Sequence, residues 1–84
     1  MAHFLILSAE NRHKSVHTLC RALEKFDKVS LKLQAKYWRD EADKCLTQIK
    51  NGIQNDRFIL APFEELVCIQ ESAQYLYVHS LRNS

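Results

Sequence analysis

From Val16 to Tyr37 the apolar residues Val16, Leu19, Leu23, Phe26, Leu33 and Tyr37 recur at helical spacing, with only Ser30 interrupting the stripe. Arg21, Lys25, Lys28, Lys32, Lys36 and Arg39 recur on the opposite side in the same period. Two patterns of opposite polarity in one phase predict a helix with an apolar face to dock and a basic face turned outward. Inside this stretch Val29, Leu31 and Leu33 alternate with Lys28, Ser30, Lys32 and Gln34, which is the period of a half-buried strand. The helical reading is preferred, because the basic stripe crosses the segment in phase and no turn residue marks a break. The strand reading would pair residues 28–34 with residues 3–8 and make the domain α+β.

A second apolar set, Trp38, Ala42, Cys45, Leu46, Ile49 and Ile53, also has helical spacing but is rotated by about a third of a turn from the first. One straight helix cannot bury both, so a break is expected near residues 36–39. Gly52 is placed to end the second helix in a left-handed conformation, with Ile53 as the apolar residue that follows. Arg57 to Ala61 reads as an extended connector ahead of Pro62, which is expected to open a third helix with Glu64 and Glu65 in its first turn. Leu66, Ile69, Ala73, Leu76 and Ser80 form the inner stripe of that helix. The expected fold is all-α, a small three-helix bundle with helices near 9–36, 38–51 and 62–81 in a single domain spanning residues 1–84. Ser8 would cap the first of these helices.

Composition narrows the class. A chain of 84 residues buries only about 60–65% of its unfolded surface, so its core is small and self-association or a partner would help it. One glycine and one proline leave few tight turns for a sandwich or barrel. A net charge of +2 with 26% charged residues is too mild for a wholly basic nucleic-acid binder, so any electrostatic signal must be local. Cys20, Cys45 and Cys68 are odd in number, far apart and set among apolar residues, as buried free thiols are, which points to a reducing, cytoplasmic or nuclear setting. The apolar run Phe4–Leu7 is too short for a signal peptide, and no segment approaches the ~20 apolar residues of a membrane span.

Candidate chemistry is sparse. His13, His17 and Cys20 sit at i, i+4 and i+7, a metal-ligand spacing on one helix edge, but a structural zinc needs a fourth ligand from Cys45 or Cys68 and no CxxC pair is present. The triplet therefore reads as a core cysteine beside solvated histidines, and no metal or other cofactor is expected. Arg12 and His17, in Arg-x4-His spacing, resemble the ribonuclease motif of HEPN domains, helical proteins in which arginine and histidine contact the scissile phosphate. The resemblance covers six residues and lies near the start of the chain, whereas the family's motif normally lies in a late helix; it implies a small ribonuclease-like protein as a remote alternative. Asp40, Glu41 and Asp43 read as a solvated helix face with local pairs to Arg39 and Lys44.

Two surfaces remain. The six basic positions Arg21, Lys25, Lys28, Lys32, Lys36 and Arg39 could track a phosphate backbone, which makes nucleic-acid or other polyanion binding the second reading. The eight aromatic residues exceed what a three-helix core of this size must bury, so some should lie outside. Tyr37 and Trp38, where the apolar face rotates, and then Tyr75 and Tyr77, are the expected anchors of an interface. The leading expectation is a non-catalytic protein-interaction module, an adaptor or regulatory subunit that self-associates or binds a partner protein through apolar helix faces.

Overall fold

The structure is a computed structural model and describes residues 2–83. It contains three helices, α1 (Ala2–Glu24), α2 (Val29–Gln54) and α3 (Leu60–Arg82). Helices of 23, 26 and 23 residues run about 35–39 Å each. A body of 45 × 18 × 16 Å joined by such short connections forces them into antiparallel, up-down-up order. Each helix packs on the other two, so the fold is the three-helix bundle that the apolar periodicity implies. No strand occurs among the described residues, and none of the helices is long and apolar enough to cross a membrane.

The first break lies earlier than expected. The chain leaves α1 after Glu24 and re-enters helix at Val29. Between them the Lys25 and Phe26 amides donate to the Ala22 and Leu23 carbonyls, and the Lys28 amide donates to the Phe26 carbonyl at 2.8 Å. Lys28 is extended, with φ −137° and ψ 123°, and its own carbonyl accepts the first bond of α2 from Lys32. The residues expected to hold the break, 36–39, are continuous helix. Phe26 leaves the helix and packs edge-on against Tyr77, with ring centroids 6.4 Å apart, which anchors the turn on α3.

This shift resets the helical phase and reassigns two residues. Leu31, Ala35, Ala42, Cys45 and Ile49 are buried, so α2 keeps one inner stripe, with Trp38 half-buried beside it. Leu33, two residues past Leu31, is rotated about 200° from it and faces out, as do Val29 and Tyr37. The Val29–Leu31–Leu33 alternation therefore reports two opposite faces of a helix rather than a pleat. Residues 3–8, the proposed partner strand, form the first turns of α1, and Ser8 lies within that helix rather than capping it.

Small residues take half of the buried core positions. Ala9, Ala35, Ala42, Ala73, Cys20 and Cys45 are buried beside Val16, Leu23, Leu31, Ile49, Leu66 and Ile69. Short side chains at these sites let the helices approach closely. Cys20 and Cys45 are buried as expected, but Cys68 is exposed, because it lies 200° around α3 from Leu66.

Gly52 also acts differently from its expected role. It is buried inside α2 and has no positive φ; the left-handed residue is Asp56, at φ 53°. The glycine instead makes room, since a Cβ there would collide with Ile59 Cγ2. Pro62 sits in the first turn of α3, two residues inside the helix start at Leu60 rather than opening it, where its missing N–H still costs no hydrogen bond. Gly52→Ala gains roughly 1 kcal/mol of helix propensity but forces Ile59 off its place at a cost of about 1–3 kcal/mol. The expected result is a lower melting temperature for Gly52→Ala in native Ile59, and a neutral or stabilising effect of the same change in an Ile59→Ala background, read by thermal melts of the four proteins.

Candidate functional site

The α1–α2 seam carries a line of polar pairs in antiparallel order. Glu10 meets Lys50 at 3.3 Å near one end, and Glu24 meets Arg39 at 3.2 Å near the other. Between them His13 and His17, four residues apart and so on one helix edge, both reach Asp43 of α2. Their Nε2 atoms lie 2.6 and 2.8 Å from the same carboxylate oxygen, Asp43 Oδ1. The two rings are tilted by 38° with centroids 4.4 Å apart. The three donor atoms lie within 4.8 Å of one another.

Burial works against the Asp43 carboxylate, but the hydrogen bonds from His13 and His17 and the charge of those rings outweigh it. The carboxyl therefore titrates below its ordinary range. Asp43 is 55% exposed and the imidazoles are about a quarter exposed, so the cluster opens to solvent. Asp40 and Glu41 pair locally, to Lys36 at 3.4 Å and to Lys44 at 3.5 Å, so the expected pair to Lys44 forms and the expected pair to Arg39 does not. Asp43 instead turns across the seam, and Arg39 pairs with Glu24 of α1. The histidine spacing was legible in the sequence; its carboxylate partner, 26 residues further on, was not.

Cys20 takes no part in this cluster. It is fully buried in the core, and burial first, opposed by Arg39 and reinforced by Glu24, pushes its thiol up to about 11. Burial, with Glu65 and Glu41 adding to it, likewise pushes Cys45 up to about 11. At pH 8 a thiol of that pKa is only about 0.1% thiolate, the reactive form. Alkylation of the native protein at pH 8 is expected to modify exposed Cys68 at least ~100-fold faster than Cys20 or Cys45, with all three reacting together in denaturant. Peptide mass mapping over time checks this.

Arg12 and His17 engage different helices. Arg12 Nη1 donates to Gln70 Oε1 at 2.9 Å and its guanidinium lies 5.7 Å from the Phe63 ring centroid, both on α3, while His17 turns to Asp43 on α2. Five residues of helix rotate one side chain about 140° from the other, so the two do not converge.

The six basic positions are divided by the turn. Arg21 and Lys25 lie on α1 or just past it, Lys28 in the turn, and Lys32, Lys36 and Arg39 on α2. The single-helix stripe is thus replaced by two short sets at one end of the bundle. Lys32 lies 3.8 Å from Asp27, Lys36 pairs with Asp40, and half-buried Arg39 pairs with Glu24. The Arg39–Glu24 contact lacks hydrogen-bond alignment, and Arg39 Nε is buried without an acceptor.

The four expected interface residues also separate. Tyr37 and Tyr75 are exposed, whereas Trp38 and Tyr77 are half-buried against the core. Trp38 and Tyr75 come together across a shallow groove between α2 and α3 with Gln34, Glu71, Ser72 and Leu76, and Tyr75 stacks on His79. The outward stripe Val29, Leu33 and Tyr37, at i, i+4 and i+8, is 73%, 64% and 60% exposed. The sequence pattern groups Leu33 with the core stripe because its phase runs on through a turn that no residue type marks. A second exposed apolar group, Phe4, Leu7, Phe58 and Leu60, stands at the opposite end of the bundle. Comparison with protein-family models, with curated proteins and with solved structures finds no match to this chain.

Proposed function

We propose that this chain is a non-catalytic protein-interaction module that pairs with a second copy of itself through the outward face of α2. The observation that carries this reading is the stripe Val29, Leu33 and Tyr37, set opposite the buried residues of its own helix. Large apolar side chains exposed in a row along one helix face mark a surface that another molecule can cover.

The charge around the stripe is compatible with a second copy. Lys36, Asp40 and Lys44 border it, and Lys36 pairs with Asp40 and Lys44 with Glu41 within the chain itself, so the rim sets no large charge of one sign against its own copy. Polyanion binding through the basic positions has less support, because three of the six cations are already beside a carboxylate. Light scattering after size exclusion at physiological salt, at two protein concentrations, tests the proposal. A dimer that gains weight with concentration is the expected result, and a monomer at both concentrations overturns it.

A further inference from the structure

We infer that His13, His17 and Asp43 form a binding site for a late first-row divalent cation of the Zn²⁺ type, which would clasp α1 to α2. Three features of the geometry lead there. The donors come from two packed helices rather than from loops, so the bundle itself sets their positions. Both imidazoles present the same atom, Nε2, to one point, and the Asp43 oxygen already occupies that convergence. All three donor atoms fall within 4.8 Å.

The distances suit capture of an ion by a side-chain rearrangement in two directions. In a tetrahedral site with bonds of about 2.0–2.1 Å, neighbouring donors stand about 3.3 Å apart. The present Nε2–Oδ1 separations are 2.6 and 2.8 Å, so Asp43 must withdraw by roughly half an ångström as the ion enters, while the two imidazole nitrogens, which lie within 4.8 Å of each other, close toward the same spacing. The exposure of Asp43 leaves it free to withdraw. On binding, each ring carries its proton on Nδ1 and turns the Nε2 lone pair to the metal.

The donor set also selects the class of ion. Two imidazole nitrogens and one carboxylate oxygen suit zinc, cobalt, nickel or ferrous iron, whereas magnesium and calcium ask for oxygen alone. Three protein ligands with the fourth side open to solvent leave a position for water or for a group from another molecule. The site lies on the α1–α2 seam and does not depend on the outward α2 face, so the two proposals stand separately.

Titration of the full chain with Zn²⁺ alone, by calorimetry and by thermal melting, tests the inference. A Cys68→Ser background keeps the exposed thiol from competing. The expected result is one equivalent bound, with a melting temperature raised by at least ~5 °C at saturating metal. His17→Gln and Asp43→Ala should each weaken binding at least tenfold, while His79→Gln, on α3, should leave it unchanged. Circular dichroism confirms that each variant is helical, and His13→Gln replaces any that is not. Co²⁺ should give a visible ligand-field spectrum that disappears in the same variants. Equal Zn²⁺ affinity in the parent, His17→Gln and Asp43→Ala proteins, or no binding at several hundred micromolar Zn²⁺, overturns the inference.

Discussion

Ile49→Ala is expected to destabilise the fold by about 3–4 kcal/mol, whereas Leu33→Ala, on the same helix, should change it by less than about 0.5 kcal/mol. Ile49 is fully buried in the core that the three helices share, so truncating it loses the transfer energy of the removed atoms and leaves a cavity whose cost adds to that loss. Leu33 is 64% exposed, and alanine there keeps the helix at least as favourable. A domain of this length has a total stability of about 4–13 kcal/mol, so the first change removes a large share of it. Urea unfolding at a protein concentration low enough to keep the chain monomeric checks both values. Equal costs at the two positions would mean that Leu33 lies inside and that the phase of α2 is misassigned.

The contrast between these two leucine-like positions shows what periodicity can and cannot resolve. Each inner stripe was legible: Val16 and Leu23 on α1, Ala42, Cys45 and Ile49 on α2, and Leu66, Ile69 and Ala73 on α3 are all buried. That two stripes could not share one straight helix was legible as well. The position of the turn was not, because residues 25–28 contain no glycine or proline and Lys28 reaches its extended conformation without a side-chain cap. What holds the turn is tertiary, namely Phe26 against Tyr77, a contact between residues 51 positions apart in the chain. A break expected about three helical turns too late carries the phase of α1 into α2, which places Leu33 and Tyr37 on the inner face instead of the outer one.

The site was half legible for a similar reason. Residues four apart on a helix meet by local geometry alone, so the His13–His17 pair could be read directly. Cys20, the third member by spacing, is drawn into the core by its own hydrophobicity. Asp43 enters only through the antiparallel register of α1 on α2. That register follows from the length and position of the turn, the one feature the sequence did not disclose. Gly52 follows the same pattern: glycine near a helix end suggested a left-handed cap, and the close approach of Ile59 that explains it becomes visible only in three dimensions.

Combining Leu33→Lys with Tyr37→Lys is expected to weaken self-association by about 10²–10³-fold while leaving the helical content and unfolding midpoint of the isolated chain nearly unchanged. Both residues are more than half exposed, so lysine at either one costs the monomer little. In a two-fold interface each residue is buried twice, once in each copy. The loss of two leucine contacts and two tyrosine contacts, with four added charges to desolvate or expel, readily exceeds the roughly 3–4 kcal/mol that this fold-change represents. Sedimentation velocity over a hundredfold concentration range gives the dissociation constants. The same variant separates the two functional readings by sign, because two further cations beside Lys32 and Lys36 should strengthen attachment to a polyanion rather than weaken it. Unchanged dimerisation would move the interface away from α2, and a gain in affinity for a heparin or nucleic-acid column, with no dimer in the parent, would favour the electrostatic reading instead.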